Sequence, residues 1–167
     1  SAALTFSDGN YRFAGYKGGE FVVGSVLGGA ASVTVGASNV PATYASPTGQ
    51  LSTVQLTGAN SYSGGTDFYA GRLRIGTNGA LGSGALRVQP NNFQLEDTRL
   101  LQIDALTTLN LPVVLNADLS IRGTGNLTLS GLISGVRELY KVGHHTLTFS
   151  GANVSFAGGI YVAGGEV

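Results

Sequence analysis

Residues 56–73 are echoed at residues 149–167. Leu56-Thr57-Gly58-Ala59-Asn60 parallels Phe149-Ser150-Gly151-Ala152-Asn153; an aromatic residue follows each, Tyr62 or Phe156, and then a glycine pair, Gly64-Gly65 or Gly158-Gly159. The residues from Thr66 to Leu73 then align with those from Ile160 to Val167, the second copy carrying one extra residue between its Asn and its glycine pair. A surface turn tolerates a slip of that size. Weaker echoes are Leu4-Thr5-Phe6-Ser7-Asp8-Gly9-Asn10 and Leu127-Thr128-Leu129-Ser130-Gly131. The repeated unit is a short strand of large apolar residues alternating with Ser or Thr, a Gly/Asn turn, and a second strand. A unit this small cannot bury its own apolar face, whereas stacking it on like units can.

The rest of the chain has the same texture. Apolar and polar residues alternate over short runs, broken by Gly, Asn, Asp or Pro, which is the pattern of half-buried strands. It predicts strands at 4–6, 11–13, 21–23, 32–35, 54–56, 66–69, 72–75, 85–88, 93–95, 100–103, 113–115, 119–121, 126–129, 146–149 and 160–162. Residues 36–50, with Pro41 and Pro47, read as a loop or an irregular turn of coil. A helix at 98–110 is the best single alternative, but its apolar stripe is incomplete. Many short strands allow a sandwich, a barrel or a solenoid. The internal repeat selects the solenoid.

Composition supports a packed chain. Glycine fills 27 of 167 positions and charged residues only 11%, but 43% hydrophobic residues exceed what disordered chains carry. The glycines then belong to turns. The net charge of zero and the scattered Lys and Arg exclude a basic stripe for nucleic acid or lipid headgroups. With no Cys, no disulfide framework holds the fold, so its core must be continuous. No stretch approaches the roughly 18 apolar residues of a spanning helix. Both ends read as cuts in a longer polypeptide, making the whole chain, 1–167, one solenoid segment.

With coils of about 20–24 residues the chain would make roughly seven, or about 35 Å of rod. Asn60 and Asn153 would then lie close to four coils apart and share an edge, where stacked Asn side chains can bond one another. Gly58, Asn60, Gly64, Gly65, Gly71, Gly151, Asn153, Gly158 and Gly159 are the expected structural turn residues.

Candidates for chemistry are few. His144-His145 is the single histidine cluster, but strand neighbours point to opposite faces and a metal needs more ligands; a solvated turn before Thr146 is the preferred reading. Glu96-Asp97, with Arg99 near, is the closest approach to the paired carboxylates of glycan-cleaving enzymes, and a solvated turn is again preferred. Residues 76–84 lack the Lys-Ser/Thr of a phosphate loop and read as a turn. Gly64-Gly65-Thr66-Asp67 is a fragment of a calcium repeat, and Asn126-Leu127-Thr128 matches a glycosylation pattern frequent by chance. Tyr62, Tyr69, Tyr140 and Tyr161 would form a sugar- or protein-binding strip if they faced outward, but half-buried strand positions are the commoner setting.

Residues 56–86 closely resemble the autotransporter-associated β-strand repeat, also called the passenger-associated transport repeat: Leu56-Thr-Gly-Ala-Asn-Ser-Tyr-Ser-Gly-Gly-Thr, then Ala70-Gly71-Arg72-Leu73, then Asn78-Gly79-Ala80-Leu81-Gly82-Ser83-Gly84-Ala85-Leu86. Residues 149–167 resemble a second, truncated copy, and 125–141 the spacer that leads into one. The second copy departs from the pattern at His144-His145 and in its extra residue, Val154 or Ser155. The resemblance implies an all-β, right-handed parallel β-helix (a single-stranded solenoid), a fragment of a longer rod. It implies an exported Gram-negative surface protein, carried across the outer membrane by type V secretion, with a stalk, scaffold or adhesin role. The motif carries no catalytic, cofactor or metal residues, so no enzyme is expected. Expected partners are the rest of the same polypeptide, a host or bacterial surface protein or glycan, and further copies joined head to tail as a filament. A polysaccharide-acting β-helix enzyme is the least favoured reading.

Overall fold

The computed structural model describes residues 8–14, 18–36, 52–91, 99–151 and 154–167. In chain order the strands are β1 (Asn10–Phe13), β2 (Glu20–Val23), β3 (Ser32–Val35), β4 (Thr53–Leu56), β5 (Thr66–Phe68) and β6 (Gly71–Ile75). There follow β7 (Leu86–Val88), β8 (Arg99–Ile103), β9 (Thr107–Leu109), β10 (Val113–Leu115), β11 (Leu119–Gly123) and β12 (Leu127–Leu129). The last are β13 (Ile133–Gly135), β14 (Leu139–Val142), β15 (Leu147–Phe149), β16 (Val154–Phe156) and β17 (Ile160–Ala163). Among the described residues there is no helix.

These strands form three parallel sheets. Sheet A has seven strands in the order β1-β3-β5-β7-β10-β13-β16, sheet B seven in the order β17-β14-β11-β8-β6-β4-β2, and sheet C three in the order β15-β12-β9. The chain therefore visits A, then B, then the third side, and returns to A one level on. This is the expected parallel β-solenoid. In the earlier coils the third side is irregular, but its backbone still bonds from coil to coil: Ser61 N to Leu27 O at 2.8 Å, Asn60 N to Gly79 O at 2.9 Å, Ser83 N to Tyr62 O at 3.0 Å.

The regular coil is twenty residues, as in Val113 over Ile133, Leu119 over Leu139 and Leu127 over Leu147. Longer coils occur where Val33 stacks on Thr66 and where Leu86 stacks on Val113. In both the excess falls between a sheet A strand and the next sheet B strand, at 36–52 and 89–98, where later coils need only 116–118 and 136–138. An insertion at a corner lengthens the chain without disturbing the ladder.

Period-2 alternation fills the interior with columns. On sheet B, Val54, Leu73, Leu101 and Ile121 stack in register. On sheet A, Val35, Phe68, Val88 and Leu115 do the same, and on sheet C, Leu109, Leu129 and Phe149. All but Phe149 are buried. Each such burial stabilises by about 1.5–3 kcal/mol before chain entropy is counted. A residual void of about 10 Å³ among Leu101, Leu115, Ile121 and Leu129 is wholly aliphatic. It lacks the polar partners that an ordered water needs.

Two readings are corrected. The helix alternative fails because Thr107–Leu109 alternates buried, half-buried, buried within a strand. Residues 125–141, read as the lead-in to the second copy, are regular coil that holds β12, β13 and most of β14. Strand β16 was not anticipated. The expected strands at 4–6 and 93–95, and nearly all of the loop at 36–50, lie outside the described residues.

Candidate functional site

The most specific local structure is the first copy of the repeat, which crosses the third side between β4 and β5. Asn60 and Tyr62 both point into the rod there, and both are buried. The Asn60 amide bridges the coils on either side: its oxygen accepts from Leu27 N at 2.8 Å and its nitrogen donates to Ala80 O at 2.6 Å. Its bonds go to backbone rather than to stacked asparagines, which corrects that expectation. Two neighbouring coils each gain a partner for a buried backbone group that would otherwise go without. The Tyr62 hydroxyl pairs with the Thr66 hydroxyl at 2.5 Å, so the ring closes the corner from inside. Burial pushes its pKa up to about 12, the Thr66 bond only partly opposing this.

The glycines admit close backbone approach. Gly58 and Gly64 lie against the carbonyls of Ser25 and Ala31 in the preceding coil, and Gly71 opens β6 beside the Ser52 carbonyl. Gly65 has φ +86°, and a Cβ there would sit 2.6 Å from the Ala85 carbonyl oxygen. Gly65→Val is therefore expected to destabilise the chain by about 1–3 kcal/mol, read as a lowered urea midpoint at unchanged m-value. An unchanged midpoint would show that the corner is not strained.

The second copy lies one side out of step with the first. The strand ending at Leu56 belongs to sheet B, whereas the one ending at Phe149 belongs to sheet C. Thr66–Phe68 lies on sheet A, whereas its counterpart Ile160–Ala163 lies on sheet B. The strands of the two motifs therefore do not share an edge, because the spacing between them includes the long coil. Asn153 itself lies outside the described residues. Gly151 follows β15 against the Gly131 carbonyl oxygen, 2.6 Å from a built Cβ. Gly158 and Gly159 precede β17, the former against the Arg137 backbone.

Asparagine and aspartate cross-link other corners. Asp118 accepts from Glu138 N at 3.0 Å, Asn126 from Thr146 N at 2.9 Å and Asn78 from Thr108 N at 2.9 Å. These side chains stand in for ladder bonds where the backbone turns. Charges line the outer faces of sheets A and B. Arg87 grips Asp67 from Nε at 2.8 Å, with Gln89 adding a bond at 2.9 Å. These bonds hold the Asp67 carboxyl below the usual carboxylate range, the Arg87 hydrogen bond most of all. Arg74 Nε reaches Asp104 at 2.5 Å. Partly exposed pairs of this kind contribute about 0–1 kcal/mol each.

The chemistry candidates disperse. Glu96 and Asp97 lie outside the described residues, while Arg99 begins β8, is buried, and donates from Nε to Gln89 O at 2.7 Å. Burial lowers its pKa. The solvated-turn reading therefore fails for Arg99. It fails also for His145, which is 3% exposed, whereas His144 faces solvent. Of the four tyrosines, Tyr62 is interior, Tyr69 is half-buried, and Tyr140 and Tyr161 stack at 5.2 Å with both hydroxyls directed to Glu138. They form no single strip. No group of three or more His, Cys, Asp or Glu suited to a metal occurs among the described residues. Two buried groups escaped sequence reasoning: the interior amide of Asn60 and the interior ammonium of Lys141. Only the sheet register reveals that Lys141 takes the place of an isoleucine.

A parallel ladder closed by glycine and asparagine corners defines a structural repeat protein of the β-solenoid class. The passenger-associated-transport-repeat family model matches residues 51–75 and 139–167. Residues of the chain are also 33% identical over 117 positions to the adhesin BmaC autotransporter of Brucella suis biovar 1 (strain 1330), covering 70% of this chain and 3% of that protein. No solved structure matches the chain. The chain thus carries the passenger-associated-transport repeat, and this together with its likeness to part of an autotransporter adhesin supports an autotransporter passenger segment.

Proposed function

We propose that the chain is a non-catalytic structural and adhesive segment of an exported bacterial surface protein, a β-solenoid scaffold displayed outside a Gram-negative cell. The observation that carries this reading is the unbroken parallel ladder of sheets A and B, into which the passenger repeat is built. Such a ladder transmits position along its axis and offers long outer faces, as repeat scaffolds do. Likeness to part of a protein named as an adhesin supports surface exposure and contact with a host or bacterial surface protein or glycan. The chain spans about 3% of that relative's length, so the activity of the whole protein rests on much more than this segment.

A scaffold whose later coils repeat every twenty residues has a specific signature. Deleting residues 107–126 joins Leu106 to Leu127, the register partner of Thr107. In the displayed passenger this whole-coil deletion is expected to preserve surface exposure and protease resistance. Deleting only 107–116 shifts the register by half a coil and is expected to abolish both. Equal behaviour of the two deletions would refute the scaffold reading. For adhesion, the purified chain is expected to compete with passenger-bearing bacteria for a host surface; without competition, the adhesive half of the proposal fails.

The second reading, head-to-tail association, draws on the outermost strands of sheet B among the described residues. Phe21 and Val22 are exposed on β2, and Ile160, Tyr161 and Val162 on β17. Either adjoining coils of one polypeptide or a second copy would extend these edges by strand addition. Light scattering that finds only monomer at high concentration rules out the second copy.

A further inference from the structure

The interior column Val54, Leu73, Leu101, Ile121 continues in register to Lys141. Lys141 is fully buried. Its ammonium donates to the carbonyl oxygens of Gly143 at 2.7 Å and Gly164 at 2.6 Å. The second bond reaches into the last turn of chain and ties it to β14. His145 is also buried, and neither ring nitrogen has a partner in full hydrogen-bond geometry, the Gly123 carbonyl being the backbone group that acts on the ring. Gly143 links the two side chains: its carbonyl takes the Lys141 bond, and a Cβ built on it would lie 3.7 Å from His145 Nδ1, while a Cβ built on Gly165 would meet both Lys141 Nζ and the His145 backbone carbonyl oxygen.

Little in the surroundings would compensate a second positive charge. From β14 the group facing His145 is the Lys141 ammonium itself. From β11 comes Arg122, exposed on the outer side, and from the same turn His144, also exposed. The last turn supplies Glu166, which is exposed and bridges to Thr146 through its backbone. Sheet C strands β12 and β15 bring only Leu, Thr and Phe, and β17 brings Tyr161 on its outer face. The Gly123 carbonyl favours the charged ring, but burial and Lys141 outweigh it and lower the His145 pKa.

We propose that Lys141 and His145 form an acid-sensitive seam: protonation of His145 sets a second buried cation beside the Lys141 ammonium and releases residues 160–167 from the rod. The direction follows from linkage. A ring that binds its proton more weakly folded than unfolded leaves the fold at full stability above the unfolded value near 6.5 and weakens it as pH falls below. The proposal is independent of the adhesive reading, since it concerns the rod's own opening.

The amides of Leu139, Gly143 and Leu147 donate to carbonyls of Gly159, Ala163 and Glu166, so they report directly on docking of the last turn. Hydrogen exchange of the whole chain, corrected for intrinsic rates, is expected to show them losing protection about tenfold or more between pH 7.5 and pH 5. The Thr107 amide, bonded to Asn126 O, serves as the internal reference and should hold. His145→Leu is expected to flatten the response. Lys141→Ile, which restores the residue type of Ile121, is expected to reduce it and to raise the titration of the His145 ring. Two results overturn the proposal: a His145 ring titrating at or above 6.5 in the unaltered chain, or an undiminished acid response in His145→Leu. The ring titration decides even where a variant fails to fold.

Discussion

Gly123→Ala is expected to destabilise the rod by about 3–5 kcal/mol, more than most single methyl additions can. Gly123 ends β11 with φ +130°, in a region that L side chains rarely adopt. A Cβ built there falls 1.7 Å from the Ile103 carbonyl oxygen and 2.5 Å from its carbon, so backbone of the neighbouring coil must move. Strain from the φ alone costs about 1–3 kcal/mol, and forced displacement in a packed region adds a similar amount. The displaced carbonyl belongs to β8, in the middle of sheet B, where a shift spreads to both neighbours. Gly76→Ala is the control: its built Cβ meets nothing closer than 3.6 Å, and its φ is ordinary. The two variants differ by one methyl at two glycines on the same edge of the rod, between sheet B and the third side. Denaturant midpoints that coincide would show that the close approach at Gly123 does not govern coil spacing. A variant that unfolds in two steps would show that the rod splits at this coil, as nearest-neighbour coupling in repeat arrays allows.

Much of this architecture was legible in the sequence because a solenoid writes its geometry at short range. Val33 and Val35, or Leu73 and Ile75, alternate with polar neighbours because one face of each strand is inside. The repeat at residues 56–73 was legible because Gly58, Gly64 and Gly65 each meet backbone from another coil, a demand few residue types satisfy. Register was harder to read. The spacing between the two copies includes one lengthened coil, so counting residues placed them on a common edge that they do not share. Strand β14 escaped because Lys141 occupies an interior position, and a lysine in an alternating pattern reads as solvent-facing until the strand below it is known. Asn60 was recognised as a turn residue, but its role as an interior bridge depends on Leu27 and Ala80, brought to it only by coiling. His145 was read as solvated because nothing in its adjacent sequence marks it as interior; it is buried only once the coils are stacked.

Tyr62→Ala is expected to cost about 3–5 kcal/mol, the range for truncating a fully buried aromatic residue. Tyr62 is among the largest side chains with no exposure, and it fills the third side where the early coils have no sheet C strand. Gly82 packs on its ring, with a built Cβ 3.0 Å from two ring carbons, so at that position the following coil offers no side chain to fill the space. Tyr62→Phe separates the ring from its hydroxyl. It keeps the volume but leaves the buried Thr66 hydroxyl without its 2.5 Å partner, an expected cost of about 1–2 kcal/mol. The double variant Tyr62→Phe with Thr66→Val removes both hydroxyls and is expected to recover part of that loss, since two apolar groups of matching shape need no hydrogen bond. Urea unfolding of the three variants measures each step. Recovery in the double variant assigns the hydroxyl pair to satisfaction of buried groups, whereas additive losses would assign it to positioning of the corner. A Tyr62→Ala variant as stable as Tyr62→Phe would mean that the third side does not depend on the ring. The early coils would then be held by sheets A and B alone.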